Sequence, residues 1–460
     1  MKRILIACSC IFLCVFAPLR EAKPQKINLP AVTRVTWPNG VRVILMEYRR
    51  APAFTVTAQF PGGGSLDPTG RAGVASLTSE LLRKGTQKRT AQQIAEEIDF
   101  LGGTLGGGAD DDRLSLTLSV LSKDVEPGLN LFADVIRNPT FPAEELERER
   151  QLTVAGLQAL PEDPGSVAAR VTAEVAYAKH PYGIAPTITS VTAITKEDIQ
   201  AFYDRAVKPN RMILVAVGDF KTADMLARLQ KQFGDWPKGT ADSAKHLKVA
   251  PVPRKLVLVD KPDAVQTQVR WVRLAIPRNH PDYYAAQLAE TILGGGFTSR
   301  LVDEIRVNRG LTYGIGSSFD TDLEGGTFGV STFTKVETTR ALIIAVSDVL
   351  RKTAEKGFTP AEIQKGKQYL AGIFAIQVQT PEALSGELAD MAFFGLPNDY
   401  LATFIQRIRA VTPQQLSRVA KQYFTPEKLS LILVAPAKKV AAQLSPIGKF
   451  ETRPIDTVGK

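Results

Sequence analysis

The chain has 460 residues, 44% hydrophobic and 23% charged, an ordinary globular composition with room for two to four domains. Its formal net charge of +10 comes from basic residues interleaved with Asp and Glu rather than from a long block. That pattern reads as a mildly cationic solvated surface and argues against a nucleic-acid partner.

Lys2-Arg3, an uncharged apolar run from Ile4 to Leu19 and then Arg20-Glu21-Ala22 have the layout of a secretory signal, too short for a comfortable membrane span. Residues 1–22 are therefore expected to be removed on export, with cleavage after Ala17 or Ala22, and no membrane span is expected in what remains. Leu5-Ile6-Ala7-Cys8 has lipobox character, which keeps lipoprotein anchoring as the minor alternative. Cys8, Cys10 and Cys14 are the only cysteines. The mature chain would thus have no disulfide, thiol nucleophile or cysteine-bound metal, as suits a bacterial periplasmic protein of this size.

Further along, Gly62-Gly63-Gly64, Gly102-Gly103 and Gly106-Gly107-Gly108 lack the partners of a phosphate loop and read as turns or close backbone approaches. The stretch Ala72 to Thr86 carries Ser76, Ser79 and Glu80 at helical spacing, and as ordinary residues these would lie on a polar helix face. Thr90 with Gln93 makes a capping box for a helix through Phe100. Asp110-Asp111-Asp112 reads as a solvated loop, because the remaining spacing of a calcium loop is missing. Leu114, Leu116, Leu118 and Val120 alternate with polar residues and predict a half-buried antiparallel strand. Pro142 and Pro360 are each placed just inside a helix start. His180-Pro181-Tyr182-Gly183 reads as a structural turn.

Comparison of the chain with itself reveals a duplication. Ala133-Asp134-Val135-Ile136-Arg137 before Phe141-Pro142-Ala143-Glu144-Glu145-Leu146 recurs as Ser347-Asp348-Val349-Leu350-Arg351 before Phe358-Thr359-Pro360-Ala361-Glu362-Ile363. The helix after Thr195 and strand Arg211 to Val217, joined through Pro209, recur as the helix after Thr412 and strand Leu429 to Val434, joined through Pro426. Pro142 and Pro360 are 218 positions apart and Pro209 and Pro426 are 217, so one unit of about 200 residues is present twice. Pro237 to Pro253, rich in Pro, Lys and small residues, reads as the linker between residues 23–236 and 254–445, with 446–460 as a tail. Each unit is expected to be α+β, with helices on a mostly antiparallel sheet.

Three stretches together resemble the pitrilysin/insulinase metallopeptidase family over about residues 32 to 440. The first is Ala72-Gly73-Val74-Ala75-Ser76-Leu77-Thr78-Ser79-Glu80-Leu81-Leu82-Arg83-Lys84-Gly85-Thr86, similar to the family's G-L-A-H-x-x-E-H-x-x-x-K-G-T helix. There two histidines at i and i+4 hold zinc and a glutamate activates the metal-bound water. This sequence has Ser76, Ser79 and Glu80 in their place. The second is the helix beginning near Pro142, where the family's further glutamate ligand corresponds to Ala155-Gly156. His180, His246 and His280 are the only histidines, and none has a second at ligand spacing. The third stretch is intact. Gly294-Gly295-Gly296-Phe297-Thr298-Ser299-Arg300-Leu301 and Ile305-Arg306-Val307-Asn308-Arg309-Gly310-Leu311-Thr312-Tyr313 are similar to the family's Gly-rich turn, S-R-L and R-x-x-x-G-L-x-Y. As ordinary residues, Arg306 would sit in a surface salt bridge and Tyr313 half-buried in a strand.

The resemblance implies two pitrilysin-like halves closing as a clamshell around a peptide, with Arg306 and Tyr313 reaching substrate and oxyanion. It also implies an edge strand near Gly103 to Ala109 able to pair with peptide. The expected function is that of a zinc-less, cofactor-free subunit, resembling the mitochondrial processing peptidase subfamily. A homologous partner with intact H-x-x-E-H would carry the zinc, and peptide or unfolded protein would be the substrate. A non-catalytic scaffold of the same fold is the alternative; a stand-alone zinc peptidase is disfavoured by Ser76, Ser79, Glu80 and Gly156.

Overall fold

Alternation of apolar and polar residues builds the first sheet, and the computed structural model, which describes residues 29–240 and 247–460, shows it directly. In Arg113–Leu121 the residues Leu114, Leu116, Leu118 and Val120 are buried, while Ser115, Thr117 and Ser119 between them are half-buried. The predicted signal falls outside the described residues. Two six-stranded sheets follow from the duplication. The first contains β1 (Val32–Thr36), β2 (Arg42–Glu47), β3 (Ala53–Pro61), β4 (Thr104–Ala109), β5 (Arg113–Leu121) and β6 (Ile213–Gly218), in the order β1-β2-β6-β3-β5-β4. The second contains β7 (Leu256–Asp260), β8 (Gln266–Ala275), β9 (Ile315–Thr321), β10 (Gly326–Lys335), β11 (Ser430–Ala435) and β12 (Glu451–Pro454), in the order β12-β7-β11-β8-β10-β9.

Without β1 and β12 the two orders coincide strand for strand, and in both sheets most neighbours are antiparallel. The outer strands break the symmetry: β1 turns back antiparallel on β2, whereas the segment read as a tail supplies β12, parallel to β7. As expected, β4 is a sheet edge, and among the described residues one side of Thr104–Ala109 has no strand partner.

The first half carries α1 (Val74–Leu81), α2 (Ala91–Phe100), α3 (Val125–Arg137), α4 (Ala143–Ala159), α5 (Pro164–Tyr177), α6 (Ile188–Thr192), α7 (Lys196–Ala206) and α8 (Thr222–Phe233). The second carries α9 (Tyr283–Leu293), α10 (Thr339–Lys356), α11 (Pro360–Gln377), α12 (Pro381–Phe393), α13 (Tyr400–Ala410), α14 (Pro413–Tyr423) and α15 (Ala437–Leu444). Capping chemistry explains several starts. Thr90, Thr195, Thr359 and Thr412 each close a capping box, so two orphan backbone donors are satisfied reciprocally. Pro360 occupies the first turn as predicted, but Pro142, with ψ 137°, stands one residue outside as the cap of α4. Among the described residues no helix is long and apolar enough to cross a membrane.

The central strands of each sheet, β6 and β11, are buried on both faces, and the covering of the second face is exchanged between halves. One face of the first sheet, with Val43, Leu45, Val56 and Leu116, packs on helices of its own half. Its other face, with Ile44, Met46, Ile213, Val215 and Val217, is covered by Leu384, Leu388 and Phe404 of the second half. Reciprocally, Val167, Val171 and Val175 of α5 cover Val257, Val259, Val272, Ile432 and Val434 of the second sheet. Polar contacts follow the same exchange: the Ser385 hydroxyl on α12 donates to Thr57 Oγ1 on β3 at 2.9 Å, and Arg113 pairs with Asp390. The first residues of the exchanged helices, Pro164 and Pro381, are separated by the same 217-residue offset.

Candidate functional site

Helix α1 starts at Gly73, whose φ of +109° suits glycine, and Asp67 fixes that start by accepting from Gly73 N–H at 2.6 Å and Ala75 N–H at 2.8 Å. Ser76 and Glu80, one turn apart, lie towards solvent; the Glu80 carboxylate accepts from Arg83, which also reaches the Leu105 carbonyl on β4 at 3.4 Å. The polar-face reading fails for Ser79, which is 0% exposed and whose Oγ has no hydrogen-bond partner among the described residues. On α4, Gly156 is exposed and a Cβ there would touch nothing within 4 Å. Lys84, in the turn after α1, pairs with Glu149 on α4 at 2.7 Å.

These groups do not fit zinc. Two neutral hydroxyls, a carboxylate held by a guanidinium and a glycine do not make the three-ligand set of a catalytic site. Among the described residues no group of three or more His, Cys, Asp and Glu side chains is arranged to hold a metal ion.

The other half presents the intact motif. Gly294 is required by close approach, since a Cβ would lie 2.6 Å from Ser317 N on β9. The chain then winds into a π-helix, Val302–Asn308, with Arg309 N–H reaching back five residues to the Glu304 carbonyl at 3.2 Å. Three arginines of this segment have different fates. Arg300 makes a two-pronged bond to Glu362 at 2.6 and 2.7 Å and lies over the Phe358 ring. These bonds hold the Glu362 carboxyl down at about 2. Arg309 bonds Glu304 at 2.8 Å.

Arg306 makes no ion pair among the described residues. Its guanidinium carbon instead lies 4.8 Å from the Tyr313 ring centre and 5.5 Å from that of Phe297, in cation–π contact with both. Tyr313 is 77% exposed and Phe297 80%, so neither the salt bridge nor the half-buried tyrosine describes this site. Phe297 was given no role by sequence reasoning, although an aromatic residue directly after three glycines was the available signal.

Residues 42–187 match the family profile described as Insulinase (Peptidase family M16), and residues 193–370 the one described as Peptidase M16 inactive domain. A Pseudomonas fluorescens structure described as a peptidase M16 inactive domain superposes with a TM-score of 0.83 at 30% identity, over 88% of this chain and 98% of that one. The chain belongs to peptidase family M16. Within M16 it is similar to an uncharacterized zinc protease of Mycobacterium leprae, 28% identical over 87% of this chain and 91% of the relative. It is also similar to a protein named as a non-peptidase homolog in Helicobacter pylori, 24% identical over 87% and 93%. A Helicobacter pylori protease structure shares the fold, with a TM-score of 0.82 at 20% identity over 88% of this chain and all of that one.

In this M16 chain the aspartate loop is not simply solvated, which corrects the reading of Asp110 to Asp112. The loop meets the β9–β10 turn of the other half: Asp112 accepts from the Tyr182 hydroxyl and, at 3.0 Å, from Leu323 N–H, while Tyr177 donates to Asp322 at 3.1 Å. Burial, then the neighbouring Asp322, pushes the Asp111 carboxyl up to about 7; burial pushes Asp322 up to about 6. His180 stays in its turn, accepting from Tyr182 N–H at Nδ1.

Proposed function

We propose that this chain is the zinc-less subunit of a heteromeric periplasmic M16 peptidase, which binds peptide and completes the active site of a homologous H-x-x-E-H subunit. One observation carries the reading: in a chain whose α1 lacks the histidine pair, the Arg306 guanidinium lies against two exposed rings and, among the described residues, pairs with no carboxylate. Its donors remain free for a substrate carbonyl or carboxylate, and the adjacent Tyr313 hydroxyl can donate to a developing oxyanion. The edge strand β4 offers unpaired backbone for an extended peptide. The periplasmic assignment rests on the export signal read in residues 1–22.

Reconstitution with the H-x-x-E-H homologue from the same genome tests the proposal. The mixture is expected to co-elute and to cleave peptide in a chelator-sensitive way, whereas this chain alone carries no stoichiometric zinc and is inactive. Arg306→Ala and Tyr313→Phe are expected to lower kcat by about 10² to 10³ while assembly persists. Unchanged kinetics in both variants would favour the scaffold reading, and equimolar zinc in this chain would defeat the proposal.

A further inference from the structure

A second feature, independent of the proposed peptidase role, lies where α9, α13 and the α12–α13 turn converge. An open cleft of about 540 Å3 is lined there by Arg278, Arg407, His280, Tyr283, Tyr284 and Tyr400, with two amide side chains, Asn279 and Gln415, and apolar residues between them and no Asp or Glu. We propose that this cleft is a binding site for an organic carboxylate with an apolar body.

The donors are built in. Arg278 lies 3.9 Å from the Tyr283 ring centre and 5.0 Å from that of Tyr400, and its Nη2 donates to the Tyr400 hydroxyl at 2.7 Å. Among the described residues no carboxylate lies within ion-pair distance of it; aromatic faces and a phenol hold this half-buried charge, and the carboxylate that acts on it from further off, Glu387, does not line the cleft. Arg407 stands over the Tyr284 ring at 5.7 Å; its one carboxylate, Asp399, is 3.3 Å away, more than half exposed, and does not line the cleft. His280 accepts the Asp282 N–H at Nδ1, 3.0 Å, which leaves the proton of its neutral ring on Nε2 as another donor.

A carboxylate suits two guanidinium groups better than a neutral ligand, because the charge-assisted bonds repay desolvation that Arg278 has already undergone. The tyrosine faces and the proline and leucine of the turn would be left uncovered by a bare inorganic anion, whereas an aromatic or aliphatic body packs on them. The volume lies within the range of about 300 to 1,000 Å3 usual for small-ligand sites. Two sources carry this chemistry: a free small carboxylate, or the C-terminal residue of a peptide.

Binding to the full mature chain can be measured by calorimetry and ligand-observed NMR. The probes are benzoate, benzamide, an N-acetylated dipeptide ending in phenylalanine as free acid and as amide, and inorganic phosphate. The free acids are expected to bind at least about tenfold tighter than their amides and tighter than phosphate, from the loss of a charged hydrogen bond. A tighter dipeptide acid assigns the site to peptide termini; a tighter benzoate assigns it to small carboxylates. Arg407→Ala and Arg278→Lys are each expected to weaken the acids about tenfold while the amides are unaffected. Should Arg278→Lys fail to fold, Arg407→Ala decides alone. Equal binding of acid and amide, phosphate binding as tightly as the acids, no acid binding at about 10 mM, a concentration well above a millimolar Kd, or unchanged acid affinity in folded Arg407→Ala would each overturn the proposal.

Discussion

The two halves have kept the same order of five strands and the matching capping boxes at Thr195 and Thr412, and differ in what α1 and Val302–Asn308 present. On α1 of the first half, an ordinary α-helix leaves Ser79 buried without a partner and Glu80 engaged by Arg83. In the second half a π-helix places Arg306 against two exposed rings, while its neighbours Arg300 and Arg309 take the local carboxylates. Packing constrains strands and caps in both copies, but no comparable constraint acts on an exposed polar position. What each half offers a ligand is therefore set by a few surface residues and not by the repeat itself.

The exchange of α5 and α12 gives the largest expected effect. Leu388, 1% exposed on α12, covers the first sheet, and Leu388→Ala is expected to cost about 2 to 5 kcal/mol in urea unfolding, with both halves lost in one transition. Separate transitions for the halves would break the claim that they share a core.

The contrast among arginines is sharpened by paired substitutions. Arg300→Ala removes a partly buried two-pronged bond and should cost about 1 to 3 kcal/mol, whereas Arg306→Ala should cost no more than about 1 kcal/mol of stability. Similar costs for the two would mean that the ring sandwich is structural.

Acidity separates the junction of the halves from the Arg300–Glu362 pair. For Asp111, about 7, and Asp322, about 6, the folded value exceeds the unfolded one of about 3.9, so the folded state binds more protons between these values. Stability from this junction is expected to increase as pH falls from about 8 to 5, and Asp111→Asn with Asp322→Asn should flatten that slope in thermal melts. Glu362, held at about 2, has the opposite sign: its contribution is present above the unfolded value of about 4.3 and is lost as pH falls through 2. A profile unchanged by the double substitution would remove the junction from the account.

The smallest effect belongs to Ser79. Removing an unpartnered buried hydroxyl should be neutral or stabilising by up to about 1 kcal/mol, so a clear loss of stability in Ser79→Ala would reveal a partner for that group.

The duplication, the Thr90–Gln93 capping box and the alternating strand β5 were legible because each depends on residues placed in a readable sequence pattern. The resemblance to the family placed Ser76, Ser79, Glu80, Gly156, Arg306 and Tyr313 at matching positions. The exchanged helices were not legible: the apolar residues of α5 and α12 announce a buried face but carry no mark of which sheet it meets. For the same reason Asp110-Asp111-Asp112 looked solvated, since its burial comes from a turn more than 200 residues away. The π-helix and the Phe297 contact also escaped, because one widened turn re-aims a side chain without changing the spacing of letters.

The reciprocal exchange has a consequence for inheritance. A gene encoding either half alone would yield a sheet with one bare apolar face and a helix with nothing to cover, a product prone to aggregation. Deletion of the first half is therefore not a neutral simplification, even though its α1 lacks the metal-binding letters. Its α5 is the floor of the second sheet, the half that presents Arg306. A segment can thus be retained as the lining of its twin, whatever side chains its α1 carries.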